Sequence, residues 1–127
     1  MKIETENTTA NICNISYLTE MVHGNKTLMR EIIDEFRVQI SEELKGINDA
    51  VENTNYQVIK NLAHTMKSTV SIMGVTILTP VLNEMESLAK NANDIEKIKT
   101  LIISLNIICK QIIDEVESNK DKYVETK

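Results

Sequence analysis

The stretch from Lys26 to Glu52 restricts the fold more than any other part of the chain. Met29, Ile32, Ile33, Phe36, Ile40, Leu44, Ile47 and Val51 recur there at spacings of three and four. That periodicity puts them on one face of a single long helix. An apolar stripe of this length must be covered, and the remaining sequence supplies more helices to cover it. With three glycines, one proline and 3% aromatic residues, the chain lacks the turn-forming content of a β architecture and reads as helical throughout.

The other elements follow from their punctuation. A short helix is expected around 16–23, with Ser16 as its N-cap. In "HGN" at 23–25, Gly24 can turn left-handed and Asn25 can cap the long helix. "ENTN" at 52–55 breaks that helix, and Asn55 can cap a third one running to about Met73, where Gly74 ends it. A fourth, about 76–91, turns Leu78, Val81, Leu82, Met85, Leu88 and Ala89 inward and carries Pro80 early, where a missing N–H costs little. Asn93-x-x-Glu96 reads as a capping box for a fifth helix, about 94–119, burying Ile98, Leu101, Ile102, Leu105, Ile108, Cys109, Ile112 and Val116. Ile103, Ile107 and Ile113 widen its apolar sector beyond one seam. That surplus would dock the first helix or form a weak dimer, and the sequence does not choose between them.

Four long amphipathic helices joined by short turns are antiparallel neighbours. The expected fold is therefore all-α, an antiparallel up-down four-helix bundle with a short N-terminal capping helix. It forms one domain over 1–127, with a polar lead (1–11), a bundle (about 12–118) and a polar tail (119–127) that frays. A net charge of −5 without a basic block argues against nucleic acid. No signal peptide is recognisable in "MKIETENTTANIC". "LIISLNIIC" at 101–109 is far short of the roughly 20 residues that span a bilayer. Cys13 and Cys109 form no CxxC and read as reduced thiols, Cys109 in the core. A monomeric cytoplasmic protein without cofactor or metal is expected.

One side chain departs from this pattern of burial. In "NLAHTMKSTVSIMG" (61–74) the apolar stripe is Leu62, Ala63, Met66, Val70 and Met73, and His64 lies roughly 140° round from its centre. Lys60, Lys67, Ser68 and Ser71 share the wet side. An exposed histidine is most often only a solvated one. A metal site lacks further ligands here, and triad chemistry lacks an acid and a nucleophile elbow. The set does suit an anion. An imidazole can take up a phosphoryl group covalently, Lys67 one turn away can offset its charge, and small residues at 68 and 71 leave room for a partner to approach.

Residues 63–74, "AHTMKSTVSIMG", resemble the signature of histidine-containing phosphotransfer (HPt) domains, roughly A-H-x-L-K-G-x-x-x-x-x-G. "YLTEMVHGNKTLMREIIDEF" resembles the family's opening helices and "ILTPVLNEMESLAK" its helix after the glycine, so about 12–118 can be laid on the family without a gap. The resemblance implies a phosphorelay intermediate. It would take a phosphoryl group from an aspartate of one response-regulator receiver domain, that of a hybrid histidine kinase included, and pass it to an aspartate on another. No Gly-rich phosphate loop for ATP is present, so no kinase activity of its own is expected.

On this resemblance His64 is the phosphoacceptor and Lys67 its charge partner. Ser68 stands where the family has Gly at the receiver contact, Met66 replaces a core Leu, and Gly74 matches the helix-ending glycine. Glu86 lies 12 residues after Gly74 and His64 lies 10 before it, which puts the two at similar heights in a helical hairpin. A Gln or Glu at this place in some family members hydrogen-bonds the imidazole; a solvated rim carboxylate is the alternative. Receiver docking is expected over Val38, Lys60, Ser68 and Ser71. Val38 joins this set because it faces water opposite the stripe of the long helix.

Two other classes expose a histidine on helices. The dimerisation domain of a sensor kinase has an acidic residue just after its His and a Pro five later, where this chain has Thr65 and Thr69. A helical adaptor would carry His64 incidentally. His23, at a helix C-terminus, suits the helix dipole and is not a second acceptor.

Overall fold

The computed structural model describes the backbone of residues 12–124 and the side chains of residues 12–118; the polar lead 1–11 lies outside them. Five helices follow one another: α1 (Ile15–Met21), α2 (Lys26–Glu52), α3 (Tyr56–Ile72), α4 (Thr79–Lys90) and α5 (Ile95–Val124). There is no strand among the described residues. α2 packs on α3 and α5, and α4 packs on the same two helices, so each long helix has two neighbours around one core. Ile33, Phe36, Ile40 and Ile47 of α2 meet Ile59, Met66 and Val70 of α3, Leu82 and Met85 of α4, and Leu105, Cys109 and Ile112 of α5 there, all almost wholly removed from water. Burying side chains of this size contributes roughly 1.5–3 kcal/mol each before conformational entropy is counted.

The helix starts are set by short polar side chains. Asn25 accepts the N–H of Leu28, and Asn55 that of Val58. Two expected caps are displaced. α1 is capped by Asn14, which accepts from the Tyr17 N–H, and Ser16 lies inside the helix. Asn14 holds that position because its own N–H donates to the Met73 carbonyl, which ties the entry of α1 to the end of α3. At α5 the cap is Asp94, whose carboxylate accepts the Lys97 N–H. Asn93 is already engaged in closing α4, its N–H donating to the Leu88 carbonyl.

α4 begins at Thr79, three residues later than the pattern suggests. Val75 and Leu78 are buried, so the chain after Gly74 returns to the core as a turn, and the Thr79 N–H donates to the Thr76 carbonyl. α5 runs on to Val124, past the expected stop near 119, since 120–124 contain no Gly or Pro to end it.

α1 to α4 all end in the same hydrogen-bond pattern, in which the second residue past the C-cap donates back five positions into the helix: Gly24 to Thr19, Asn55 to Ala50, Val75 to Val70 and Asn93 to Leu88. The residue in between takes a left-handed backbone. It is Gly only at Gly74 (φ 69°); elsewhere it is His23 (φ 54°), Thr54 (φ 51°) and Ala92 (φ 48°). Gly74 is glycine for a second reason: a Cβ there would meet the Cβ of Asn14 at 2.6 Å.

The three surplus isoleucines of α5 differ in their surroundings. Ile103 and Ile107 remain 60% and 55% exposed, while Ile113 packs against the core. The N-terminal segment is fixed further along α5, where Glu115 accepts the N–H groups of Ile12 and Cys13. Asn48 and Asn106 join α2 to α5 by two reciprocal amide bonds of 2.8 and 2.9 Å. Both cysteines are free and buried. Burial pushes each thiol up to about 12, with Glu115 adding to the effect at Cys13 and Glu43 at Cys109, so neither forms thiolate at neutral pH.

Candidate functional site

The α3–α4 contact gathers the polar groups. α3 presents its wet side because Ala63, Met66 and Val70 hold the opposite side in the core. His64, whose side chain is 71% exposed, is thereby held at the surface next to α4. Its Nδ1 lies 2.9 Å from Oε2 of Glu86. The other oxygen of Glu86 lies 2.7 Å from the Lys67 ammonium, which also donates to Oδ1 of Asn83 at 2.9 Å. One carboxylate thus joins the imidazole and the lysine.

Charge decides the tautomer. The hydrogen bond from Lys67, with that from His64 adding to it, outweighs partial desolvation and holds the Glu86 carboxyl below its ordinary range. Glu86 is therefore ionised near neutral pH and can only accept. His64 must carry a proton on Nδ1, which leaves the lone pair of neutral imidazole on Nε2. No partner engages Nε2 among the described residues.

Lys60 lies beside this group, and with Asn61, His64, Thr65, Glu86 and Lys90 it lines an open cleft of about 450 Å³. Ser68 is exposed one turn past His64. Ser71 is exposed too, but its hydroxyl donates to the Ser68 carbonyl at 2.8 Å. Val38, 56% exposed, lies on α2 and lines neither the cleft nor the smaller groove of about 230 Å³ formed by Met21, Ile32, Glu35, Phe36, Gln39 and Ile72. The structure brings His64, Lys67, Glu86 and Lys60 together and leaves Val38 apart from them.

Beneath the site, the buried Thr69 hydroxyl donates to Glu43 of α2 at 3.0 Å. The other Glu43 oxygen is buried without a hydrogen-bond partner. Burial accordingly raises the Glu43 carboxyl above its usual range.

Sequence reasoning did not find Asn83 or Lys90. Both were within reach of the same periodicity, since they stand three before and four after Glu86 on α4 and so share its face. Among the described residues no group of three or more His, Cys, Asp or Glu is placed to hold a metal ion. No helix among them is long and apolar enough to cross a membrane.

The site is thus an exposed imidazole backed by a carboxylate and a lysine on a helical bundle. The family model described as Hpt domain matches residues 31–118, and the chain belongs to that family. Comparison with curated proteins and with solved structures gave no significant match. Membership makes this a histidine phosphotransfer domain of two-component phosphorelays, a carrier class rather than a kinase class, whose partners are response-regulator receivers.

Proposed function

We propose that His64 receives a phosphoryl group from the aspartyl phosphate of one receiver domain and delivers it to the aspartate of another. The observation that carries this reading is the pairing of His64 Nδ1 with an ionised Glu86, which leaves Nε2 as the nucleophile. The Nε2 lone pair forms the N–P bond as the P–O bond to the receiver's aspartate breaks, and that carboxylate leaves with the bonding pair. The ring, still protonated at Nδ1, becomes positive, and the Glu86 carboxylate faces that charge. The phosphoryl group brings about −1.5 to −2 charges at pH 7, opposed by Lys67. Transfer onward reverses the same steps.

The architecture we infer is the antiparallel up-down four-helix bundle with α1 as its cap, a single domain over 1–127 whose bundle covers about 12–118. Short turns and the ring of packed helix pairs support it. A monomer in the cytoplasm, acting without ATP or cofactor, completes the reading. Lys60, Ser68 and Ser71 form the receiver contact around His64, and Val38, exposed on α2 apart from them, is a separate docking point for the same receiver.

Incubation with a phosphorylated receiver domain, followed by mapping of the label, tests this. Label on His64 is expected, and ATP with Mg²⁺ alone should give none. Label on another residue, or self-labelling from ATP, overturns the proposal.

A further inference from the structure

We infer that Asn83 is a positioning residue for phosphoryl transfer, acting through Lys67; the inference rests on the function proposed above. An ammonium has three N–H donors and no acceptor. On Lys67 one is committed to Glu86 Oε1 at 2.7 Å and one to Asn83 Oδ1 at 2.9 Å. Two acceptors on one face of α4 thus fix a four-carbon stem that would otherwise sample many rotamers. The third donor stays uncommitted, on the helix face where a phosphoryl group on His64 would need a cation.

The chemistry of the two acceptors differs in a way that matters. Glu86 is an anion already shared with His64, whereas Asn83 is neutral. Asn83 therefore holds the ammonium without cancelling its charge. A carboxylate there would hold the lysine as firmly but would compete with the phosphoryl group for it. Asn83 is itself exposed and, among the described residues, its side chain bonds to Lys67 alone, so its removal leaves no buried polar group unsatisfied and should not disturb the core.

The test compares wild type, Asn83→Ala, Asn83→Asp, Lys67→Ala and the double variant Asn83→Ala/Lys67→Ala. Each is assayed for single-turnover transfer from a phosphorylated receiver and for labelling by phosphoramidate. Asn83→Ala should slow the transfer step about threefold to tenfold, the range one net hydrogen bond supports. Receiver affinity and the thermal midpoint should stay unchanged. Phosphoramidate labelling should slow in parallel, since the device acts on the phosphoryl charge and not on docking. Asn83→Asp should also be slow despite keeping an oxygen acceptor. The double variant should be no slower than Lys67→Ala, because without the lysine there is nothing to position.

Full-speed transfer by Asn83→Ala, an effect confined to receiver affinity, or an Asn83 effect that persists undiminished in the Lys67→Ala background each overturns the inference while leaving His64 as acceptor. Wild-type protein that takes no label on His64 overturns the proposed function, and this inference with it.

Discussion

His64 Nδ1 and Glu86 Oε2 lie 2.9 Å apart although 22 positions separate them in the chain. The contact exists because α3 and α4 are joined by a turn that brings the two faces together. It sorts the two ring nitrogens, one bound to a permanent acceptor and one left for chemistry.

His64→Gln should abolish phosphoryl acceptance while leaving the helical circular dichroism unchanged, since the side chain is largely in water. The label on the wild-type protein should be acid-labile and base-stable, as a P–N bond is. Undiminished labelling of the variant, or label on His23, would move the site elsewhere.

Ser68 tests the approach of the receiver. Ser68→Gln should weaken receiver binding and receiver-dependent transfer together, with a nearly unchanged melting temperature, as surface substitutions usually give. Phosphoramidate needs no docking surface and should still label His64 in the variant. Ser68→Gly should preserve transfer at a stability cost of about 0.5–1 kcal/mol. Equal receiver-dependent transfer by the Ser and Gln proteins would remove Ser68 from the contact.

Glu86 gives a pH signature with a definite sign. Its carboxyl is held below the ordinary range, first by the hydrogen bond from Lys67. The folded state therefore favours the ionised form. The resulting stability is present above the unfolded value of about 4.3 and is lost as the pH falls through the lower folded value. Thermal melts of wild type and Glu86→Gln should differ at pH 7 and converge on acidification below pH 4 or so. A difference that stays constant across that range would mean that the ion pair contributes nothing. At neutral pH the Gln oxygen can still accept from Nδ1, so labelling should slow without vanishing.

The left-handed helix ends predict opposite effects for opposite exchanges. Thr54 is β-branched at φ 51°, a conformation that costs an L-residue roughly 1–2 kcal/mol. Thr54→Gly should raise stability by about 0.5–1 kcal/mol after the entropy of glycine is allowed for. Gly74→Ala meets both the same backbone cost and the Asn14 side chain. Gly24→Ala has φ +73° but open space around a new Cβ. Denaturant midpoints should therefore fall further for Gly74→Ala than for Gly24→Ala, and equal losses would show that the Asn14 contact yields without cost.

The sequence is most informative where one local signal decides the outcome. Apolar spacing and the asparagines at 25 and 55 set the limits of α2 to within a residue, and the same spacing puts Lys67 with His64. The helix ends at Thr54 and Ala92 were not readable in this way. Neither residue favours a left-handed backbone, and it is the pattern of hydrogen bonds around each turn that imposes one. The caps failed for a related reason: Ser16 and Asn93 are good capping residues in isolation, but Asn14 is fixed by Met73 and Asn93 is used by α4. Asn83 stayed hidden because its contact depends on where a long, flexible lysine comes to rest, and spacing along one helix does not contain that.

The paired amides of Asn48 and Asn106 bear on how selective the fold is, apart from how stable it is. Two leucines in their place would bury as well and accept many alignments of α5 against α2. Two amides that each donate to and accept from the other accept one, since any slip strands both in a half-buried seam. α5 is the helix most in need of such a lock: with Ile103 and Ile107 on its outer side, it could roll and still find an apolar face to bury. The pair makes that error costly, and so keeps a helix with two greasy sides facing one way.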